Sequence, residues 1–367
     1  MKKTLVLLLV VTFLFSLAGA QSLEERLQQL AAKNAKSYVN PLVTAFGTAM
    51  NSGWFYTAKP HKLLGFDIGL RAMAVTFPED QKSFTFDFSS LGDITQTINI
   101  DGTNYNLTLH PEDVYPDTKV PTFFGKDEPG SIPADQPGII NKINQQLTAR
   151  GVPSQALSQA AVQNNIASIA ANIPTIVTPP GTNLPTLPLV VPQASVGISL
   201  PVLPIKADIV ARYLPEMEVS KDIGKFKFMG FGGKLALDPF IPLPLFGVKI
   251  SAGAFMQKME IGDVFESNHA LYSLMASRDF SLLILGVGLY GGVGKEKSDV
   301  KINYTYTNPN DSADPLNGTK VKFDLTGDNS FRTTVGARLR LALININADY
   351  SMGADNVATV GVGLTLR

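Results

Sequence analysis

The sequence predicts an all-β fold: an antiparallel transmembrane β-barrel of about 12–14 strands, with an N-terminal helical segment and a partly helical, Pro-rich insertion. Three observations carry that expectation. First, residues 330–367 read as three long alternating strands with almost no loop between them. Val335, Ala337, Leu339 and Leu341 alternate with Thr334, Gly336, Arg338 and Arg340, and Ile344, Ile346, Ala348 and Tyr350 alternate with Asn345, Asn347 and Asp349. Val360, Val362, Leu364 and Leu366 then alternate with Thr359, Gly361, Gly363 and Thr365. One face is apolar and the other polar, which a membrane barrel accommodates by turning the first to lipid and the second to its lumen. Second, the chain opens like an exported protein. Third, charged residues make up 17% of it, against about 25% in an ordinary soluble domain.

Lys2 and Lys3 precede a compact apolar run at residues 5–17, and Ala18-Gly19-Ala20 forms a small-residue cleavage site. Cleavage between Ala20 and Gln21 is expected. The run is shorter than the about 20 residues of a spanning helix, and no later apolar run approaches that length. The expected location is the cell outer membrane. With Cys at 0, neither disulfides nor thiolate metal sites hold the fold. A formal net charge of +0 argues against a nucleic-acid partner, which needs a basic surface. The expected partners are outer-membrane lipid, the barrel-assembly machinery and a small hydrophobic solute. No cofactor is expected.

Residues 21–62 form the N-terminal helical segment. Leu23, Leu27, Leu30 and Ala31 make an apolar stripe, and Ser22 with Glu25 fits a capping box. Pro41 is expected to break or kink the helix, and Asn51-Ser52-Gly53 to end it. Packing on the barrel rim is favoured over plugging of the lumen. Residues 63–78 hold the first barrel strand: Phe66, Ile68, Leu70, Ala72 and Ala74 share one face, and Asp67, Gly69 and Arg71 the other. Trp54, Phe55 and Tyr56, just upstream, suit an interfacial aromatic girdle.

Residues 79–193 read as the insertion. Short strands are expected near 84–88 and 97–109, with a type I′ turn at Asp101-Gly102. Helices are expected over 138–171, divided at Gly151 and Pro153, followed by an extended Pro-rich linker over 173–192. A connection that long is usually functional. Residues 194–367 form the main barrel, where the two-residue alternation returns and persists.

Lumen-facing charges are Asp67, Arg71, Lys206, Asp208, Arg212, Lys249, Arg338, Arg340 and Asp349. Their mixed signs suit cross-strand pairing, and also a polar path that sets selectivity. Gly286-Val287-Gly288-Leu289-Tyr290-Gly291 has the spacing of a dinucleotide-binding turn, but strand rather than helix follows it. His61, His110 and His269 are too scattered for a zinc site. Ser267, His269 and Ser273 are the only residues near a hydrolase arrangement, and no enzyme is expected. Asn308, Asn310, Asp311 and Asp314 lack a calcium-loop spacing and read as a solvated hairpin tip.

The helical segment before strand one, the strand itself and the terminal triplet resemble the FadL-type superfamily of long-chain fatty-acid transporters. A closer likeness is to an uncharacterised exported family. It rests on Gly47, Asn51-Ser52-Gly53-Trp54, the run Thr57-Ala58-Lys59-Pro60-His61-Lys62-Leu63-Leu64-Gly65-Phe66-Asp67, Leu187-Pro188 to Gln193, and Arg212-Tyr213-Leu214-Pro215. The last strand also resembles the barrel-assembly signal, through Thr359, Gly361, Leu364 and Leu366. The resemblance implies an outer-membrane barrel. Fatty acid as substrate is not carried over, because FadL-type members carry an Asn-Pro-Ala stretch before strand one, to which Asn40-Pro41-Leu42 is the nearest match here, while Asn51-Ser52-Gly53-Trp54 has no Pro. The expected function is a passive channel for small or hydrophobic solutes. The alternatives are a non-transporting anchor or docking barrel for other exported proteins, and a secreted soluble β-protein.

Overall fold

The computed structural model describes residues 32–116, 118–199, 205–220, 224–241, 246–263, 265–282, 285–305 and 320–366. The expected cleavage site at Ala20 and Gln21 and the hairpin tip around Asp311 lie outside them. The described chain divides into a barrel unit (Val39–Pro78 and Leu184–Arg367) and an insertion unit (residues 32–38 and Glu79–Asn183).

Helix α1 (Ala32–Met50) opens the described chain, and its second half lies in the barrel unit. Strand β1 (Phe66–Thr76) follows. The insertion unit comes next, with strands β2 (Ser83–Thr85), β3 (Ile94–Ile100), β4 (Thr103–Leu109), β5 (Lys119–Pro121), β6 (Gly130–Ile132) and β7 (Ile176–Thr178). Its helices are α2 (Pro111–Val114), α3 (Gln136–Ala149), α4 (Ser154–Leu157) and α5 (Ala160–Ala171). The barrel resumes with β8 (Leu187–Ser199), β9 (Lys206–Ser220), β10 (Gly224–Ala236), β11 (Lys249–Ile261), β12 (Phe265–Leu282) and β13 (Leu285–Thr305). It ends with β14 (Lys320–Thr326), β15 (Phe331–Leu341), β16 (Ile344–Met352) and β17 (Asn356–Leu366).

All barrel pairings are antiparallel, and β12 pairing with β13 closes the sheet on itself. Among the described residues β14 pairs only with the far end of β13, and the described strands form a closed ring of ten rather than twelve to fourteen. The difference has two causes. Stretches that read as separate strands merge into β13, which runs through the 21 residues from Leu285 to Thr305. Lys320–Thr326, counted from its alternation, extends a hairpin beyond the ring. β1 pairs in full register with β17, from Phe66↔Leu366 to Thr76↔Asn356, so the first and last barrel strands seal the ring.

The outward face is apolar around the whole ring. Ile68, Val196, Ile209, Phe231, Met256, Leu274, Leu289, Val335, Ile346 and Leu364 come one from each strand, and each is exposed. A water-soluble sheet does not leave such a belt uncovered, whereas this is the surface of an outer-membrane-type barrel.

Residues 187–192 belong to the barrel and not to the insertion as the sequence suggested. They pair with β1 from Val75↔Leu187 to Leu70↔Pro192. The prolines there read as a linker signal. They are tolerated because β8 meets β9 only from Gln193↔Arg212 to Ser199↔Lys206, which leaves the other edge of residues 187–192 without a strand partner. Pro41 likewise fails to interrupt α1. It is buried, so surrounding packing offsets the lost backbone bond.

In the insertion unit, Asp101 (φ 48°) and Gly102 (φ 83°) are both left-handed, as a type I′ turn between β3 and β4 requires. Ile139, Ile143 and Leu147 line one face of α3, and Val162, Ile166 and Ala170 one face of α5. These faces are buried with Ile98, Leu107 and Leu109 of the hairpin to form the unit's core.

Candidate functional site

The lumen of the barrel unit is occupied by the chain's own residues 39–62. This overturns the favoured placement of the helical segment on the rim. At one mouth, Asn40 Nδ2 donates to Asp328 Oδ2 at 2.9 Å, and Thr44 Oγ1 accepts from the Asp328 amide at 3.0 Å. Gly47 faces β13 so closely that a Cβ there would stand 2.2 Å from Ser298 Oγ. Only glycine permits that approach. Asn51 Nδ2 reaches Ser298 Oγ and the Lys297 carbonyl, each at 3.4 Å. Gly53, at φ 69°, turns the chain three residues past the end of α1 at Met50.

Three sets of inward charges grip this segment. Arg332 pairs with Glu296 at 2.8 Å, donates Nη1 to Ser52 Oγ at 2.6 Å and Nη2 to the Thr48 carbonyl at 2.8 Å. Arg212 donates Nε to Gln193 Oε1 at 2.9 Å. Its Nη1 donates to the Met50 carbonyl at 3.0 Å and to Gln257 Oε1 at 3.2 Å, and its Nη2 to the Ser52 carbonyl at 2.6 Å. Its guanidinium also lies 3.8 Å from the Trp54 ring centroid. Among the described residues no carboxylate pairs with it, so carbonyl and amide oxygens and the ring face are what solvate this charge. Near the other mouth, Asp208 accepts from the His61 amide at 2.8 Å and sits 3.0 Å from His61 Nδ1 and 3.2 Å from Lys234 Nζ. Lys234 also donates to the Thr57 carbonyl at 2.8 Å.

Between these grips the segment packs as a core. Trp54 stacks on Phe255 at 5.0 Å, and Phe55 meets Tyr290 edge-on at 6.2 Å. Tyr56 lies between Arg71 at 5.1 Å and Arg338 at 5.6 Å. The three aromatics expected as an interfacial girdle are therefore 2–7% exposed inside the lumen. Adjacency to strand one suggested the membrane interface. The tertiary path instead brings them inside.

Of the residues expected to line the lumen, Asp67, Arg71, Asp208, Arg212, Arg338 and Asp349 are buried there. Asp67 pairs with Arg71 at 2.9 Å, Arg338 with Asp279 at 2.7 Å, and Tyr290 donates to Asp349 at 2.9 Å. Arg340 is half-buried, Lys206 is exposed, and Lys249 pairs with Asp238 at 2.8 Å near the barrel mouth. The glycines of the dinucleotide-like run lie inside β13. Arg340 lies over Gly286, and Arg338 and Asp279 lie against Gly288. Small residues on this wall leave room for long charged ones opposite. Thr359, Gly361, Leu364 and Leu366 lie on β17, the first two facing inward and the leucines outward.

Ser267, His269 and Ser273 share the inward face of β12. His269 packs edge-on against Phe46 at 5.4 Å, and among the described residues neither of its ring nitrogens has a hydrogen-bond partner. Sequence reading missed Glu296, Arg332 and Lys234 as grips. Lys234 falls on the inward phase of β10 and was legible. Arg332 lies six residues, three strand periods, before Arg338, so its phase was also available.

A family model described as "Family of unknown function (DUF6588)" matches residues 1–366. Among solved structures, Ail, the attachment invasion locus protein of Yersinia pestis, is similar at 16% identity. That match covers 47% of this chain and 93% of Ail, with a TM-score of 0.22. The β domain of the Bordetella autotransporter BrkA is similar at 15% identity, over 48% of this chain and 91% of that one, with a TM-score of 0.20. No curated protein matches.

Proposed function

We propose, for a chain that belongs to the DUF6588 family, that it is an outer-membrane anchor whose barrel is sealed by its own N-terminal segment and whose insertion unit docks other exported proteins. One observation carries the reading: residues 39–62 run from the Asp328 mouth to the Asp208 mouth and are held by buried Arg332, Arg212 and Asp208 along the way. A passive pore needs a continuous aqueous path. Here the polar lumen wall is bonded to protein instead. The insertion unit has its own core, which suits a separately built contact surface. The experiment is a pair of measurements on the protein in lipid. Wild type reconstituted in planar bilayers should stay silent, and exported proteins that co-purify with it should be lost when residues 79–183 are deleted. Steady conductance from wild type, or retention of the same partners after deletion, would sink the proposal.

A second reading is a transporter with a lateral route for a small hydrophobic solute. It is favoured by the incomplete seam between β8 and β9, where Pro188, Pro192 and Pro215 lie beyond the paired residues. A disulfide closing that seam would then block solute uptake by liposomes. Uptake that persists with the seam closed would dismiss the route.

A further inference from the structure

The β3–β4 hairpin of the insertion unit has two unlike edges. Its two-residue type I′ turn makes Ile100 and Thr103 a hydrogen-bonded pair, so the outward backbone groups fall at alternate positions from there. On β4 these belong to Asn104, Asn106 and Thr108, and the C-terminal end of α3 with Arg150 after it reaches three of these groups. Gln146 bonds the Thr108 amide and carbonyl, and Arg150 bonds the Asn106 carbonyl. On β3 the equivalent groups belong to Thr95, Thr97 and Asn99, and among the described residues no backbone bond reaches them. All three residues are exposed.

That open edge borders a cleft of about 560 Å³. Ile94, Gln96 and Thr97 all line it. Successive side chains of a strand point to opposite faces, so a cleft that touches consecutive residues meets the strand at its edge. Across the cleft stand Asn165 and Ile169 of α5 and Ile176 of β7, and among the described residues no charged one lines it. Soluble proteins usually protect such edges with Lys, Pro or a bulge. Ile-Thr-Gln-Thr-Ile-Asn-Ile has no Lys or Pro, and its pairing with β4 is unbroken by a bulge.

We propose that this edge is a strand-addition site. An extended, uncharged peptide segment of a partner pairs its backbone with Thr95 and Thr97 and places an apolar side chain in the cleft. Main-chain bonds give such sites their affinity and the adjoining pocket gives selectivity. The absence of charge in the lining selects against Lys, Arg, Asp and Glu at the inserted position, since no opposite charge there would offset their desolvation. The inference rests on the docking reading above and says where on the insertion unit a partner binds.

The test uses the full-length protein in detergent and a fluorescent peptide of alternating Val and Thr, read by anisotropy. Saturable binding is expected, with no binding by a twin carrying N-methyl groups on alternate amides. Thr97→Pro should weaken binding about tenfold, since proline removes the outward amide while its fixed φ suits an edge strand. If circular dichroism shows that T97P does not fold, the N-methylated twin on wild type decides alone. Absence of wild-type binding, or equal binding by the twin, overturns the site. Self-association that T97P abolishes, without peptide binding, assigns the edge to a second copy and overturns the partner peptide. Bilayer silence reports on the lumen segment independently, so loss of this site and loss of the sealed-anchor reading are separable.

Discussion

Replacing Arg212 with Met should unseat the segment that closes the lumen. Arg212 is 1% exposed, and its guanidinium is the donor for the carbonyls of Met50 and Ser52. Methionine fills much of the volume but donates nothing. Each backbone carbonyl left without its donor costs about 1–3 kcal/mol, and the lost contact with Trp54 about 2 kcal/mol for a desolvated pair. Removing a buried charge returns part of this, because its desolvation penalty disappears too. A net loss of about 3 kcal/mol remains, which is roughly a hundredfold change in the balance between seated and released segment. Single-channel recording reads this directly. Wild type should be silent, and R212M should open briefly and repeatedly, with open probability raised about a hundredfold. If R212M is folded, as judged by heat-modifiable migration, and remains as silent as wild type, the arginine does not hold the segment. The argument from its bonds would then be wrong.

Three further outcomes follow from particular contacts. Gly47→Val should lower the heat-unfolding midpoint, since a Cβ meets Ser298 at 2.2 Å and overpacking costs about 1–3 kcal/mol. Adding Ser298→Gly should recover part of the loss, and no recovery would place the strain elsewhere. Leu364→Arg turns a charge toward lipid from the outward face of β17 and should weaken folding into vesicles by about 2–4 kcal/mol if it lies near the midplane, measured by denaturant titration; an unchanged midpoint would argue for a water-facing surface. His110 in the insertion unit has its pKa raised above the usual imidazole value, first by the hydrogen bond to Asp93 and then by its charge. The stability it contributes is fully present below the unfolded value of about 6.5 and lost as pH rises through the higher folded value. NMR titration should show His110 above 6.5, and Asp93→Asn should bring it down.

The barrel was legible because alternation with a period of two is a local property of strands. β15, β16 and β17 match the three runs read from the sequence, and the inward phase of Asp67, Arg71, Asp208, Arg212, Arg338 and Asp349 followed from the same period. The number of strands was less legible. Period alone cannot say whether two alternating runs are separate strands or one long one, as in β13, nor whether a strand such as β14 joins the ring. Prolines misled twice, at Pro41 and at residues 187–192. Their cost depends on what packs around the helix and on whether the strand edge has a neighbour, and neither is written locally.

The sequence by itself determined an outward apolar face, an inward polar one and a long insertion between the first two barrel strands, since these depend on the order of residue types along the chain. Tertiary structure decided what fills the lumen. Trp54 lies 12 residues before Phe66, and nothing in that spacing says whether it faces lipid, rim or interior. It ends inside because Arg212, far along the chain, stacks on its ring and bonds the carbonyls beside it. A buried charge must find its donors' acceptors wherever the fold brings them, so the filling of the lumen emerges only when distant strands close around the segment.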